Sequence, residues 1–177
     1  TVNSGASFGG TGGITGSITA NGGATVTPGD GGTAILTTGN LALSAGSSLD
    51  MELDGTVAGS GYDQLGVTGS VNLAGATLNL SSTFAPDDGA TFVLIDNDGT
   101  DAVGGTFAGL AEGATVNVGG KDYTLSYVGG DGNDVVLFAG TPETEVSVDG
   151  GGNLVVSDIN NATNDDLTIT DPHHLGQ

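Results

Sequence analysis

Short runs in which apolar residues alternate with Thr, Ser and Asn recur along the chain, each closed by glycine. Period-two alternation is the pattern of a half-buried strand, and glycine supplies the positive φ that tight reversals require. In the first part of the chain the runs are residues 14–20 (ITGSITA), 24–27 (ATVT), 33–38 (TAILTT), 41–44 (LALS) and 48–53 (SLDMEL). They continue through 65–68, 70–73 and 76–80. Between them lie Asn21-Gly22-Gly23, Pro28-Gly29-Asp30-Gly31 and Ala45-Gly46-Ser47. Turns at intervals of roughly ten residues suit a β-solenoid, whose coils stack their apolar faces, and equally a β-sandwich of tight hairpins. No window carries an amphipathic helical period. The expected class is all-β, a solenoid or sandwich of many short strands with glycine-rich turns and almost no helix.

From Thr83 the texture changes. Phe84, Phe92, Phe107, Tyr123, Tyr127 and Phe138 fall within residues 84–138, so the largest core side chains are expected there. Residues 91–95 (TFVLI) form a nearly continuous apolar run, which predicts a central strand. Runs at 114–118, 122–128 and 134–139 follow, joined by short glycine-bearing turns, and predict an antiparallel segment packed on the earlier strands. Gly140-Thr141-Pro142 reads as a hinge, followed by a hairpin of 143–148 and 154–157 and a last short strand at 167–170. The organisation expected is an N-terminal arm over 1–11, a main β domain over 12–140, and a C-terminal hairpin extension with a loose tail over 141–177. A faint internal echo joins 129–137 to 149–157, each a glycine-rich turn leading into an apolar run.

Glycine contributes 35 of 177 residues and hydrophobic residues only 36 %, a balance that also occurs in disordered chains. A disordered chain has no need of ordered alternation, so strands are the better reading. Charge narrows the function further. One Lys and no Arg stand against 21 acidic residues, giving a formal charge of -20. Such a surface repels phosphate backbones and anionic lipid heads, which excludes nucleic-acid and membrane-surface partners. A cationic clamp on an anionic substrate could come only from Lys121. Cysteine is absent, which removes disulfides, thiolate metal sites and cysteine nucleophiles together. No apolar stretch approaches the ~18 residues of a spanning helix. No basic stretch followed by an apolar one opens the chain, so any signal peptide is expected to be already absent.

Residues 12–55 (GGITGSITANGGATVTPGDGGTAILTTGNLALSAGSSLDMELDG) resemble the autotransporter-type passenger repeats that form parallel β-helices. Residues 62–80 (YDQLGVTGSVNLAGATLNL) and 105–137 (GTFAGLAEGATVNVGGKDYTLSYVGGDGNDVVL) are similar to the module that commonly follows such repeats in large secreted bacterial surface proteins. The resemblance covers roughly residues 10–140. It implies export and a structural role, and it carries no catalytic residue to transfer.

Aspartate among glycine and asparagine is what calcium loops use, because a short carboxylate on a permissive backbone can converge with carbonyl oxygens on a hard cation. Gly129-Gly130-Asp131-Gly132-Asn133-Asp134-Val135-Val136-Leu137 fits one copy of the GGxGxDxUx nonapeptide of calcium-binding β-rolls, with Asp131 and Asp134 as candidate ligands. A glycine-rich turn with a solvated Asp is the plainer alternative. Asp96-Asn97-Asp98-Gly99-Thr100-Asp101 resembles the start of an EF-type loop, with Asp96, Asp98 and Asp101 as candidates, although no bidentate Glu follows at the expected place. Asp158, Asn160, Asn161, Asn164, Asp165 and Asp166 offer a third group, or simply solvate a loop. His173 and His174 are adjacent on an extended end and point opposite ways, so a shared metal is not expected. Asn79-Leu80-Ser81 and Asn161-Ala162-Thr163 are glycosylation sequons, which makes Asn161 and Asn79 candidate acceptors.

The functional expectation is an extracellular or cell-surface structural protein rather than an enzyme: a subunit of a self-assembling filament or surface layer, stabilised by Ca²⁺. Its partners are copies of itself, joined by β-strand pairing. The alternatives are an adhesin or glycan-binding module, which needs an exposed aromatic platform, and a secreted polysaccharide-active enzyme built on paired carboxylates.

Overall fold

A computed structural model describes residues 1–140, the strands Thr144–Val148 and Leu154–Asp158, and Gly151. The chain divides into two compact units, Thr1–Thr141 and Pro142–Gln177. The described residues are all-β, with no helix among them and several sheets of short strands.

Ten strands fill the first part: β1 (Ser7–Gly10), β2 (Gly12–Gly13), β3 (Ile18–Ala20), β4 (Thr25–Pro28), β5 (Ile35–Thr38), β6 (Leu41–Leu43), β7 (Ser48–Glu52), β8 (Gln64–Val67), β9 (Val71–Asn72) and β10 (Thr77–Ser81). Four more follow: β11 (Thr91–Asn97), β12 (Thr115–Val118), β13 (Lys121–Gly129) and β14 (Asp134–Ala139). Each early strand pairs in parallel with the strand three further along the chain. One sheet is β1-β4-β7-β10, a second runs β2-β5-β8-β11, and a third is β3-β6-β9. The second sheet then changes sense, adding β14, β13 and β12 antiparallel beyond β11.

The registers put like side chains over one another. Phe8, Val26, Leu49 and Leu78 form one row on the first sheet; Leu36, Leu65 and Ile95 form another on the second; Ile18, Leu41 and Val71 form the third. Most of these side chains are fully buried, and all belong to one hydrophobic cluster or pack against it. Strand spacing of about 4.8 Å lets each apolar side chain rest directly on its neighbour. The intervening residues on the first sheet (Ser7, Thr25, Ser48, Thr77) lie in register between them and carry hydroxyls, with Ser48 Oγ bonded to Thr25 Oγ1 at 3.0 Å.

One turn recurs where the chain passes from the third sheet to the first. In Asn3-Ser4-Gly5-Ala6, Asn21-Gly22-Gly23-Ala24, Ser44-Ala45-Gly46-Ser47 and Leu73-Ala74-Gly75-Ala76 the fourth residue's N–H donates to the first residue's carbonyl. The third residue is glycine every time, with φ of 78°, 82°, 80° and 76°, a conformation other residues adopt only under strain. The passage from the first sheet to the second is not constant. It takes Thr11 alone at first, then residues 29–34, 53–63 and 82–90. Cross-chain contacts accordingly step by 18 residues at Asn21–Asn3, 23 at Ser48–Thr25 and 29 at Asn79–Asp50.

Two expectations are corrected. The run 14–20 is not one strand: Ile14 follows β2 while Ile18–Ala20 belongs to another sheet, because the chain turns a corner at Gly16, whose carbonyl accepts the Gly39 N–H. Residues 1–11 are not a detached arm. Val2 bridges Ala20 and β1 pairs with β4, since Val2 and Phe8 suffice to join the apolar rows.

Most of the large aromatics gather in the core as expected, with Tyr62 joining them. Phe138 is exposed, because alternation along β14 turns it outward between Leu137 and Ala139, and Phe84 is half-buried. Tyr62, Phe92 and Tyr123 contact edge to face at centroid distances of 5.3 Å and 5.8 Å, and Phe107 lies against Tyr127. β11 is the central strand that its apolar run predicts, parallel to β8 on one side and antiparallel to β14 on the other. A bulge between Val93 and Ile95 turns both Leu94 and Ile95 into the interior, which explains the unbroken apolar run. In the second unit, β15 (Thr144–Val148) and β16 (Leu154–Asp158) form the expected antiparallel hairpin. The expected strand at 167–170 and the tail lie outside the described residues.

Candidate cation site

The two Asp/Asn/Gly segments, distant in sequence, meet at one end of the β11–β14 pair. Asn97 ends β11 and Asp134 begins β14. The Asn97 N–H donates to Asp134 Oδ1 at 2.9 Å. Asn97 Nδ2 donates to the Asp101 carbonyl at 2.8 Å and to the Asn133 carbonyl at 3.4 Å, while Asn133 Nδ2 donates to the same Asp101 carbonyl at 3.0 Å. Glycine makes this approach feasible. Gly130 has φ of 57°, and a Cβ there would sit 1.7 Å from Asp134 Oδ2, so only a bare backbone lets the carboxylate fold against its own turn.

Asn97, Asn133 and Asp134 are 1 %, 5 % and 6 % exposed. Burial pushes the Asp134 carboxyl above its ordinary value, the Asn97 N–H opposes this, and the charges of Asp96 and Asp131 add to the upward push. The amide nitrogens of both asparagines are bonded, yet Asn97 Oδ1 and Asn133 Oδ1 are buried with no hydrogen-bond partner. Each such oxygen costs about 1–3 kcal/mol in desolvation unless something meets it.

Of the acids expected as ligands, Asp134 alone is buried; Asp96, Asp98, Asp101 and Asp131 have exposed side chains. Asp101 takes part through its main-chain carbonyl. Among the described residues no three His, Cys, Asp or Glu side chains gather closely enough to hold a metal ion by themselves. Sequence reasoning looked for carboxylates and passed over Asn97 and Asn133, though both stand inside the quoted motifs. Asn79 is exposed on β10, and its Nδ2, the atom a glycan would join, donates to Asp50 Oδ1 at 2.8 Å. Asn160, Asn161, Asn164, Asp165, Asp166, His173 and His174 lie outside the described residues, as does the side chain of Asp158.

A second buried acid was not anticipated. Asp63 is fully buried just before β8, where Oδ1 accepts the Ala34 N–H at 2.8 Å and Oδ2 accepts the Glu52 N–H at 2.9 Å. It ties the 53–63 loop to the neighbouring pass at Ala34, and its own N–H donates to the Glu52 carbonyl. Lys121, the single basic side chain, is paired with Asp88. No family model, no curated protein and no solved structure matches this chain.

Proposed function

We propose that this chain is an extracellular structural protein, a module of a filament or surface layer, in which the parallel passes stack as a β-solenoid and copies join by strand pairing. The observation that carries the reading is β10. It stands at the edge of its sheet, with β7 as its one strand partner among the described residues. Main-chain groups alternate along a strand. The Thr77 N–H donates to the Ser47 carbonyl and the Ser81 carbonyl accepts the Leu53 N–H, so both face inward toward β7 and its flanks. By that alternation the N–H and C=O groups of Leu78 and Leu80 face the open side. A strand edge of this kind is a template for another chain, with main-chain bonds giving affinity and alternate side chains giving register. The same sheet presents β1 at its opposite edge, and pairing one edge with the other is a head-to-tail contact, the kind that builds a filament where its rotation does not close a ring.

The sparse basic charge and the resemblance to passenger repeats support the extracellular and structural parts of the reading. An adhesin would need an aromatic platform, yet all three tyrosines are buried and Phe138 is the exposed aromatic among the described residues. Negative-stain microscopy of the purified chain over a range of NaCl and CaCl₂ concentrations tests the proposal. Fibres or sheets are expected once salt screens the charge. Leu80→Pro removes an outward N–H while sparing the bonds to β7, and should leave a folded chain that no longer assembles. Dispersed monomers under every condition would end the proposal.

A further inference from the structure

We propose that the end of the β11–β14 pair binds one oxygen-seeking divalent cation of the Ca²⁺ class, held by Asn97 Oδ1, Asn133 Oδ1 and the Asp134 carboxylate. Ca²⁺ takes oxygens from carboxylates, carboxamides, carbonyls and water in a flexible shell, so a site with one carboxylate and two carboxamides suits it. Neither segment could supply this alone. Residues 96–101 bring Asn97 and the Asp101 carbonyl, and residues 129–134 bring Asn133 and Asp134.

The orientation of both asparagines is fixed by chemistry. The Asp101 carbonyl accepts from both amide nitrogens, and turning either carboxamide over would set oxygen against oxygen. Both Oδ1 atoms are therefore acceptors, both are buried, and neither has a donor. Among the described residues the one Lys or Arg side chain, Lys121, is engaged with Asp88. The nearby charges of Asp96 and Asp131 make the surroundings of Asp134 more negative, which favours a cation over a neutral water molecule. The site would clamp the point at which parallel pairing gives way to antiparallel pairing.

Calorimetric titration of the EDTA-treated chain with CaCl₂, in NaCl sufficient to screen diffuse surface binding, reads the site directly. One saturable site per chain is expected, with MgCl₂ binding roughly tenfold or more weakly because Mg²⁺ demands a tighter octahedral shell. Asn133→Ala and Asp134→Asn should each weaken Ca²⁺ at least tenfold, by order of magnitude, whereas the exposed Asp30→Asn should not. Asn133→Asp replaces the Nδ2 donor with an oxygen set against the Asp101 carbonyl and adds a charge. It should melt lower without Ca²⁺ and regain more stability than the parent chain as Ca²⁺ is added, because the cation offsets both. That variant keeps the question answerable if Asn133→Ala fails to fold. Absence of a saturable site, or a Ca²⁺ response indifferent to Asn133→Asp and Asp134→Asn, overturns the proposal and leaves a buried water as the partner of the two oxygens. Assembly plays no part in this readout, so its failure and that of the filament reading are separate results.

Discussion

Asp63 carries a carboxylate into the interior because two main-chain donors, those of Ala34 and Glu52, converge on its two oxygens. Asn at this position offers one acceptor where two are used, so Asp63→Asn is expected to cost about 1–3 kcal/mol, measured by urea unfolding at neutral pH. The pH dependence has a definite sign. Burial raises the Asp63 carboxyl above its ordinary value of 3.8, so the folded chain holds that proton more tightly than the unfolded chain. Its effect is to make the protein more stable as pH falls through the raised value, fully so below the ordinary one. Asp54 acts oppositely: the N–H and Oγ of Thr83 favour its ionised form, lowering its carboxyl, and that contribution disappears as pH falls through the lowered value. The urea midpoint should therefore climb from neutral pH toward the ordinary carboxylate range and drop below it. Asp63→Asn should reduce the climb, leaving the part that the raised Asp134 carboxyl supplies, and spare the drop. None of this was legible in the sequence, where an Asp beside Tyr62 reads as one more solvated acid. The same blindness hid Asn97 and Asn133, because a carboxamide becomes a ligand candidate only once both of its faces are known.

At the level of strands and turns the sequence was far more readable. Alternation located β4 to β14 within a residue or two, and the continuous run at residues 91–95 identified the central strand. Alternation says which side chains share a face but not which strand lies alongside, so it left the pairing of the early strands undecided, while short glycine-bearing turns did announce the antiparallel β12, β13 and β14. The repeating turn was also written in the sequence, as glycine third and Ala or Ser fourth. Its steps of 18, 23 and 29 residues conceal it from any search at a fixed period. Gly46 gives a clean test of that turn. A Cβ there meets nothing closer than the Gly22 Cα at 3.9 Å, so Gly46→Ala changes only backbone strain. It should cost roughly 1–3 kcal/mol in thermal or urea unfolding. The inner rows make a second test. Leu65 is fully buried between Leu36 and Ile95, and Leu65→Ala should cost about 2–5 kcal/mol by the same measurement.

Taken over its full length, the chain holds a formal charge of -20 on strands joined largely by main-chain bonds. Exposed like charges repel over a distance of about 10 Å at 0.1 M salt, and less as salt rises. The melting temperature should therefore rise with NaCl from low to moderate ionic strength, before any cation-specific effect, and scanning calorimetry at matched pH reads it. The variable passage between the first two sheets has a separate consequence. Residues 53–63 fold back on themselves there, with the Asp54 N–H donating to the Gly61 carbonyl, the Gly61 N–H donating to Val57, and the Val57 side chain exposed. The successive passes differ in length chiefly along that margin, which makes it a natural splice point. A foreign peptide spliced beside Val57 would ride on the rim, outside the three sheets, and be displayed while their strand pairing stays in place.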